Sequence, residues 1–263
     1  MSQATNYLET ALFNLSLRNT AYAPAATIYL RLLSGASTEA GSQANEIAVG
    51  AYAGTAITFG AAASGVILQS ADVTFPVATA SYTVSHWAIG DAAAAGNYLA
   101  YGTFATPRTV AIGSAFRLPS GQLSLTLDSG AITYFLANAL LNHTFRNSVY
   151  VRPATVYAGL SLATPGKSGS LSNEVTTVGT AYARQSMAFA APTDGVGANS
   201  ADVTFPTATA NYGKVTHRFI ADGGTAGAGN VMFYTTVPGG SYNDVKTGDY
   251  VKIYAAQLSL GIA

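Results

Sequence analysis

Residues 70–82 read SADVTFPVATASY and residues 200–212 read SADVTFPTATANY; the two stretches differ only at Val77/Thr207 and Ser81/Asn211. In the first copy Ala71, Val73 and Phe75 fall on one side of an extended chain. Ser70, Asp72 and Thr74 fall on the other, because successive side chains of a strand alternate. Pro76 lacks the N–H a ladder needs and closes the run. A duplicated catalytic loop would mean two active sites, whereas a duplicated half-buried strand means two copies of a scaffold. The alternation favours the scaffold.

Working outward, YLETALFNLSLRN (residues 7–19) matches FLANALLNHTFRN (residues 135–147) at an offset of 128. The offset grows to 130 between Ser70 and Ser200, 131 between His86 and His217, 133 between Gly96 and Gly229, and 135 between Gln122 and Gln257. Each increment falls in a stretch of small residues or glycine, where insertions mark connections between elements. Two domains are therefore expected, residues 1–132 and 133–263. A period of that length belongs to a duplicated domain and not to a solenoid.

Each unit opens on a helix. Leu8, Ala11, Leu12 and Leu15 recur at helical spacing and give one apolar face. Asn6 with Glu9 reads as its N-terminal cap, and Arg18 suits its C-terminal end. The remainder is β: TIYLRLL, AITF, VSHWAI, YLAYGTF, AFRL and QLSLTL are β-branched and aromatic, at the spacing of an antiparallel sandwich. The expected fold is mainly β, two tandem antiparallel β-sandwich or barrel-like domains, each with a short N-terminal α-helix.

The chain has 263 residues and no cysteine, which excludes disulfides, thiolate metal sites and cysteine nucleophiles. Twelve Lys and Arg balance twelve Asp and Glu, so no basic excess exists for nucleic acid or an anionic membrane. Charged residues are 9% of the chain, against about 25% in an ordinary soluble domain, a surface suited to packing within a large assembly. The N-terminus has neither a basic leader nor an apolar run, which argues against a signal peptide or a membrane span.

Candidate chemistry is thin. SLATPGKSGS (residues 161–170) ends like a phosphate-binding loop, but Ser161 replaces the first glycine, Pro165 removes a donor, and no helix follows. ADGGTAGAGN (residues 221–230) corresponds to GDAAAAGN (residues 90–97), where alanine takes most glycine positions, so both read as hairpin connections. His86 and His217 are each followed five residues on by Asp91 and Asp222. On a strand that spacing puts the pair on opposite faces, so a structural imidazole is expected and not a dyad or metal site. His143 reads as a boundary residue on a helix face. Asp72 with Asp202 read as caps, turn residues or exposed partners. Asn14 and Asn142 fit the glycosylation pattern only inside helices. Sixteen tyrosines read mainly as core, with an exposed cluster for host glycans as the alternative. No catalytic, cofactor-binding or metal residue is assigned, and a non-enzyme without cofactor is expected.

The segments NYLETALFNLSLRNTAY…PAATIYLRLL, AYARQSMAF, NSADVTFPTATANYGKVTH, and GN followed by QLSL together resemble a family of tailed-bacteriophage virion proteins. Its members combine a short helix with a β-sandwich and are often labelled tail fibre or capsid decoration. The likeness covers nearly all of each half, implying two such domains in tandem, and it carries no catalytic motif. SYTVSHWAIGDAAAAGN in the first half departs from the pattern by lacking the glycine before the histidine strand. The resemblance implies a structural protein of the virion, made in the bacterial cytoplasm. A capsid decoration or cement protein bridging capsid subunits is the preferred role. A tail or neck fibre component, or an adhesin for host glycans, is the alternative. Expected partners are capsid or tail structural proteins, with a homo-oligomer or a host-surface glycan besides, and neither nucleic acid nor membrane.

Overall fold

The computed structural model describes residues 2–128, 130–239 and 244–262. The first half runs β1 (Ser2–Ala4), α1 (Asn6–Leu17), β2 (Ile28–Leu33), β3 (Thr55–Ile57), β4 (Val66–Leu68) and β5 (Val73–Thr74). It continues through β6 (Tyr82–Gly90), β7 (Tyr98–Val110), β8 (Arg117–Leu118) and β9 (Ser124–Thr126). The second runs α2 (Tyr134–Arg146), β10 (Val156–Ser161), β11 (Gln185–Met187), β12 (Val196–Ala198) and β13 (Val203–Thr204). It ends with β14 (His217–Ala221), β15 (Val231–Thr236), β16 (Lys252–Ile253) and β17 (Ser259–Gly261).

The main sheets are antiparallel, in the orders β1-β7-β6-β2-β3 and β11-β10-β14-β15. Among the described residues, the β1–β7 pairing of the first half is reduced in the second to one bridge between Ile132 and Phe233. In both halves two short pairs complete the β structure, β4–β9 with β5–β8 and β12–β17 with β13–β16. Leu30, Leu32, Ile89 and Leu99 of the first main sheet share a core with Val73, Phe75, Leu118 and Leu125 of its short pairs. Leu160, Ile220 and Met232 do the same with Val203, Phe205, Ile253 and Leu260. The protein is thus mainly β, in two tandem copies of one topology.

The duplicated stretch sits where alternation put it, with one change. Val73 and Phe75, like Val203 and Phe205, are buried, while Ala71 and Ala201 are exposed. There the strand has not begun, because the Ala71 carbonyl accepts from the Gln69 side-chain amide (2.8 Å) and the Ala201 carbonyl from Asn199 (2.9 Å). The helix cap also moves by one residue. Thr5, not Asn6, is the N-cap: its hydroxyl accepts the Leu8 N–H (3.4 Å) and donates to the Tyr98 carbonyl (2.6 Å). Thr133 makes the corresponding bond to Val231 (2.6 Å), so each helix starts pinned to its own hairpin. Asn19 (φ 51°) and Asn147 (φ 52°), left-handed, stop the two helices.

More of α1 is buried than its one apolar stripe, since Phe13, Ser16 and Leu17 join Leu8, Leu12 and Leu15. The cause is the other half. α1 packs between its own β7 and β12 of the second half, and α2 packs between its own β15 and β4 of the first. Phe13 lies over Gly197, where a Cβ would fall 2.5 Å from its ring, and meets Phe189 edge-on at 5.9 Å. Reciprocally, Ala137 abuts Gly65, the Asn138 side-chain oxygen accepts the Gly65 N–H (2.9 Å), and Phe145 meets Phe59 at 5.6 Å. Burying Phe13 and Phe145 in the partner half stabilises the seam by about 1.5–3 kcal/mol each.

Candidate functional site

The residues singled out in the sequence are not brought together. His86 Nδ1 lies 2.8 Å from Ser85 Oγ and His217 Nδ1 lies 2.8 Å from Thr216 Oγ1, and burial pushes His217 down. Asp91 instead folds over its own hairpin turn, accepting the Asn97 backbone N–H (2.7 Å) and side-chain amide (2.8 Å). Asp222 treats Asn230 identically (2.7 Å for each). The carboxylate lies so close that a Cβ on Gly96 would fall 2.3 Å from it, and one on Gly229 2.6 Å, which with positive φ demands glycine there. Asp72 pairs with Arg117 and accepts the Ser120 N–H (2.8 Å). Asp202 pairs with Lys252 (2.7 Å) and accepts the Ala255 N–H (2.8 Å). The hydrogen bond to the cation, first, holds each carboxyl below the usual range.

In the loop at 161–170, Lys167 pairs with Asp128 and its carbonyl accepts the Tyr134 N–H (2.8 Å), so it belongs to the start of α2. His143 is buried between the halves, its Nε2 3.0 Å from the Tyr22 carbonyl and its ring edge-on to Tyr22. Asn142 carries its side-chain oxygen to the Ala62 N–H (3.0 Å) across the same seam. Of the tyrosines, Tyr82, Tyr98, Tyr101, Tyr182 and Tyr212 are buried. Tyr250 and Tyr254 are exposed on either side of Lys252, whose ammonium sits 4.8 Å from the Tyr254 ring centre. Among the described residues no three His, Asp or Glu side chains converge as a metal site requires, and no helix is long and apolar enough to cross a membrane.

Two features escaped the sequence reading. One is a buried ion pair in each half. Glu46 binds Arg31 of β2, and Glu174 binds Arg184 at the entry to β11 (2.7 Å from both Nε and Nη2). Both guanidiniums also donate to hairpin carbonyls: Arg31 to Ala92 (2.8 Å) and Ala95 (3.1 Å), Arg184 to Gly223 (2.8 Å) and Ala228 (2.9 Å). Each glutamate takes two further donors: Tyr98 (2.9 Å) on Glu46 and the Gly227 N–H (2.7 Å) on Glu174, and in both halves an equivalent tyrosine. Tyr52 and Tyr182 donate to the glutamate (3.2 and 2.9 Å) and accept the N–H of Leu32 and Leu160 (2.9 Å each). Burial, with the adjacent carboxylate adding to it, pushes both phenols up, so both remain donors. These centres clamp the β6–β7 and β14–β15 turns onto the sheets.

The other feature is a pair of grooves created by the exchanged helices. In one, Arg146 and Asn147 at the end of α2 face Thr27, Thr58 and Phe59 of the first half. In the other, Arg18 and Asn19 at the end of α1 face Thr155, Met187 and Phe189 of the second. Each is open to solvent, with a volume of about 320 Å³ at Arg18 and about 290 Å³ at Arg146. Arg146 donates to Asn142 (3.2 Å) and Arg18 to Asn14 (2.7 Å), the same i, i+4 bond in both. Arg152 adds a second guanidinium beside the groove at Arg18, through Asn19 Oδ1 (2.6 Å). Among the described residues no carboxylate pairs with Arg18, Arg146 or Arg152, and neither groove is lined by a carboxylate or an imidazole. The glycosylation-pattern asparagines Asn14 and Asn142 are these arginines' helical partners.

The fold and the grooves together are two β-rich copies in reciprocal helix contact, each helix ending in a groove that carries an arginine. The family described as Podophage GP4 fiber I protein gp80 matches residues 3–126 and again residues 131–261, and the chain belongs to that family. No curated protein matches it. Membership makes it a structural protein of the phage virion, associated there with other virion proteins.

Proposed function

We propose that the protein is a non-enzymatic component of a virion fibre, built of two units, 1–132 and 133–263, that act as one rigid block with two equivalent contact surfaces. The observation that carries the reading is the match of the fibre family to both halves. The absence of acid or base from both grooves supports a contact role over a hydrolytic one. Reciprocal packing of α1 and α2 supports rigidity, since neither helix is covered by its own half alone.

A second reading, capsid decoration, is favoured by the low content of charged residues, which suits many neutral contacts across a shell. Labelled antibody on intact particles separates the two. Label confined to fibres, with a few copies per particle, is the expected result. Label over the whole head, with hundreds of copies and a shell that bursts earlier without the protein, would replace the fibre reading with decoration. Loss of a polysaccharide-degrading activity on changing any residue of the grooves would end the non-enzymatic reading.

A further inference from the structure

The grooves at the ends of α1 and α2 are the same construction made twice, each needing both halves. Each presents a guanidinium without a carboxylate partner, a side-chain amide on a left-handed residue, exposed threonine hydroxyls (Thr27 and Thr58 in one, Thr155 in the other) and an aromatic floor, Phe59 or Phe189. Arg146 spends one Nη1 N–H on Asn142, and Arg18 spends Nη1 on Asn14 and Nε on the Phe189 carbonyl (3.3 Å), so the remaining Nη N–H groups of each are what a carboxylate can meet. An added peptide strand is disfavoured, because the floor's backbone is already bonded on its outer side. Ser70 N–H donates to the Thr58 carbonyl (2.9 Å) and Gly60 N–H to the Leu68 carbonyl (2.8 Å). In the other half Ser200 N–H donates to Ala188 (2.9 Å) and Ala190 N–H to Ala198 (2.9 Å). What is left for recognition is side chains: cation, amide, hydroxyl and an apolar surface. That set matches a ring with hydroxyls on its rim, apolar C–H faces and one carboxylate.

We propose that the two grooves are twin binding sites for an acidic sugar residue, whose carboxylate is held by Arg146 in one and by Arg18 in the other. This rests on the reading of the protein as an exposed virion component. Its own chemistry is nevertheless testable on the isolated full-length chain. Arg152 gives the groove at Arg18 the larger positive field, so that site is the tighter of the two.

The test is a titration of the ¹⁵N-labelled full-length protein with sodium glucuronate, glucose and sodium acetate, following the Asn19 and Asn147 amides. Expected are saturable shifts at both with glucuronate, half-saturated at about tenfold lower concentration than with acetate, and no response to glucose. Arg18→Gln removes the response at Asn19 and leaves Asn147 unchanged; Arg146→Gln does the reverse. Arg18→Lys, which keeps the charge without the fork, weakens the response at Asn19 without disturbing the fold. Absence of saturable shifts, equal responses to glucuronate and acetate, or responses that persist in the Arg18→Gln/Arg146→Gln double variant would overturn the proposal. A protein located in fibres that ignores glucuronate refutes the ligand alone, whereas one that binds glucuronate but coats the head refutes the fibre alone.

Discussion

The two halves solve one buried problem with different strands. In the first, Glu46 is met by Arg31 from β2, while Gly54 leaves room for that side chain: a Cβ there would fall 2.6 Å from Arg31 Cδ. In the second, the residue corresponding to Gly54 is Arg184, and the residue corresponding to Arg31 is Gly159. A Cβ on Gly159 would fall 2.1 Å from the Phe219 ring, which supports the Arg184 guanidinium at 5.2 Å; the first half has Ala88 there. The guanidinium keeps its glutamate, its tyrosine and its two turn carbonyls while its backbone attachment moves. What is held constant is the position of a charge, not the position of a residue, because only the charge satisfies the buried carboxylate.

The largest effect should come from removing that carboxylate. Glu174→Gln leaves Arg184 buried without its counter-charge and is expected to cost about 3–5 kcal/mol in denaturant unfolding. Glu46→Gln should cost less, because the Glu46 side chain is 14% exposed and the Glu174 side chain 3%. Equal costs would dissolve the distinction between the centres.

Transposition sharpens the comparison further. The double change Gly159→Arg/Arg184→Gly should unfold at lower temperature than either centre's parent, because Phe219 blocks the new arginine. Adding Phe219→Ala should recover most of that loss, even though Phe→Ala in a core ordinarily costs about 3–5 kcal/mol. If the triple variant is the least stable of the set, the exchange of attachment points is not what links these positions.

The helix seams differ as well. One pairs Phe13 with Gly197, whereas the corresponding positions of the other are Leu141 and Ile67, large traded for small across the interface. Gly197→Ile should force the Phe13 ring away and cost about 1–3 kcal/mol. Gly197→Ile with Phe13→Leu should regain part of it.

The smallest effect concerns charge at the same seam. Glu9 packs on Gly195, with Glu39 and Asp194 near it, and Asp194 accepts from the Asn6 side chain (2.8 Å). Burial first, then those two carboxylates, push the Glu9 carboxyl up to about 7. The folded state therefore holds the proton more tightly than the unfolded chain, and stability falls as pH rises from about 4.5 to 7, then levels. Solvent screening of this half-exposed group limits the loss to about 1 kcal/mol. Glu9→Gln should flatten the pH profile of thermal unfolding over that window. The seam formed by α2 has Ala137 and Ser64 in the corresponding places and should show no such dependence.

The sequence was most legible where interactions are local or repeated at one offset. Alternation placed Val73 and Phe75 inside, and helical spacing found Leu8, Leu12 and Leu15. The shift of the cap from Asn6 to Thr5 was not visible, because what distinguishes them is Thr5's bond to Tyr98, far along the chain. Nor was the burial of Phe13, which depends on the other half covering a second face of α1. The buried arginines were hidden by the alignment itself, which matches equal offsets and so set Arg31 against Gly159. Glu46 and Glu174 were matched, and a buried shared glutamate was the one signal that a cation must lie near. The grooves left no trace in either half alone, since each takes its arginine from one copy and its floor from the other.

Reciprocal locking of the two copies is the claim on which the rest depends. It is tested most directly by inserting a protease site between Asp128 and Gly130, both exposed, and cutting the folded full-length chain. The two fragments should stay together and elute as the uncut protein does, separating only in denaturant. If they part under native conditions into two folded species of half the size, the helices do not hold the copies together and the shared grooves fall with them.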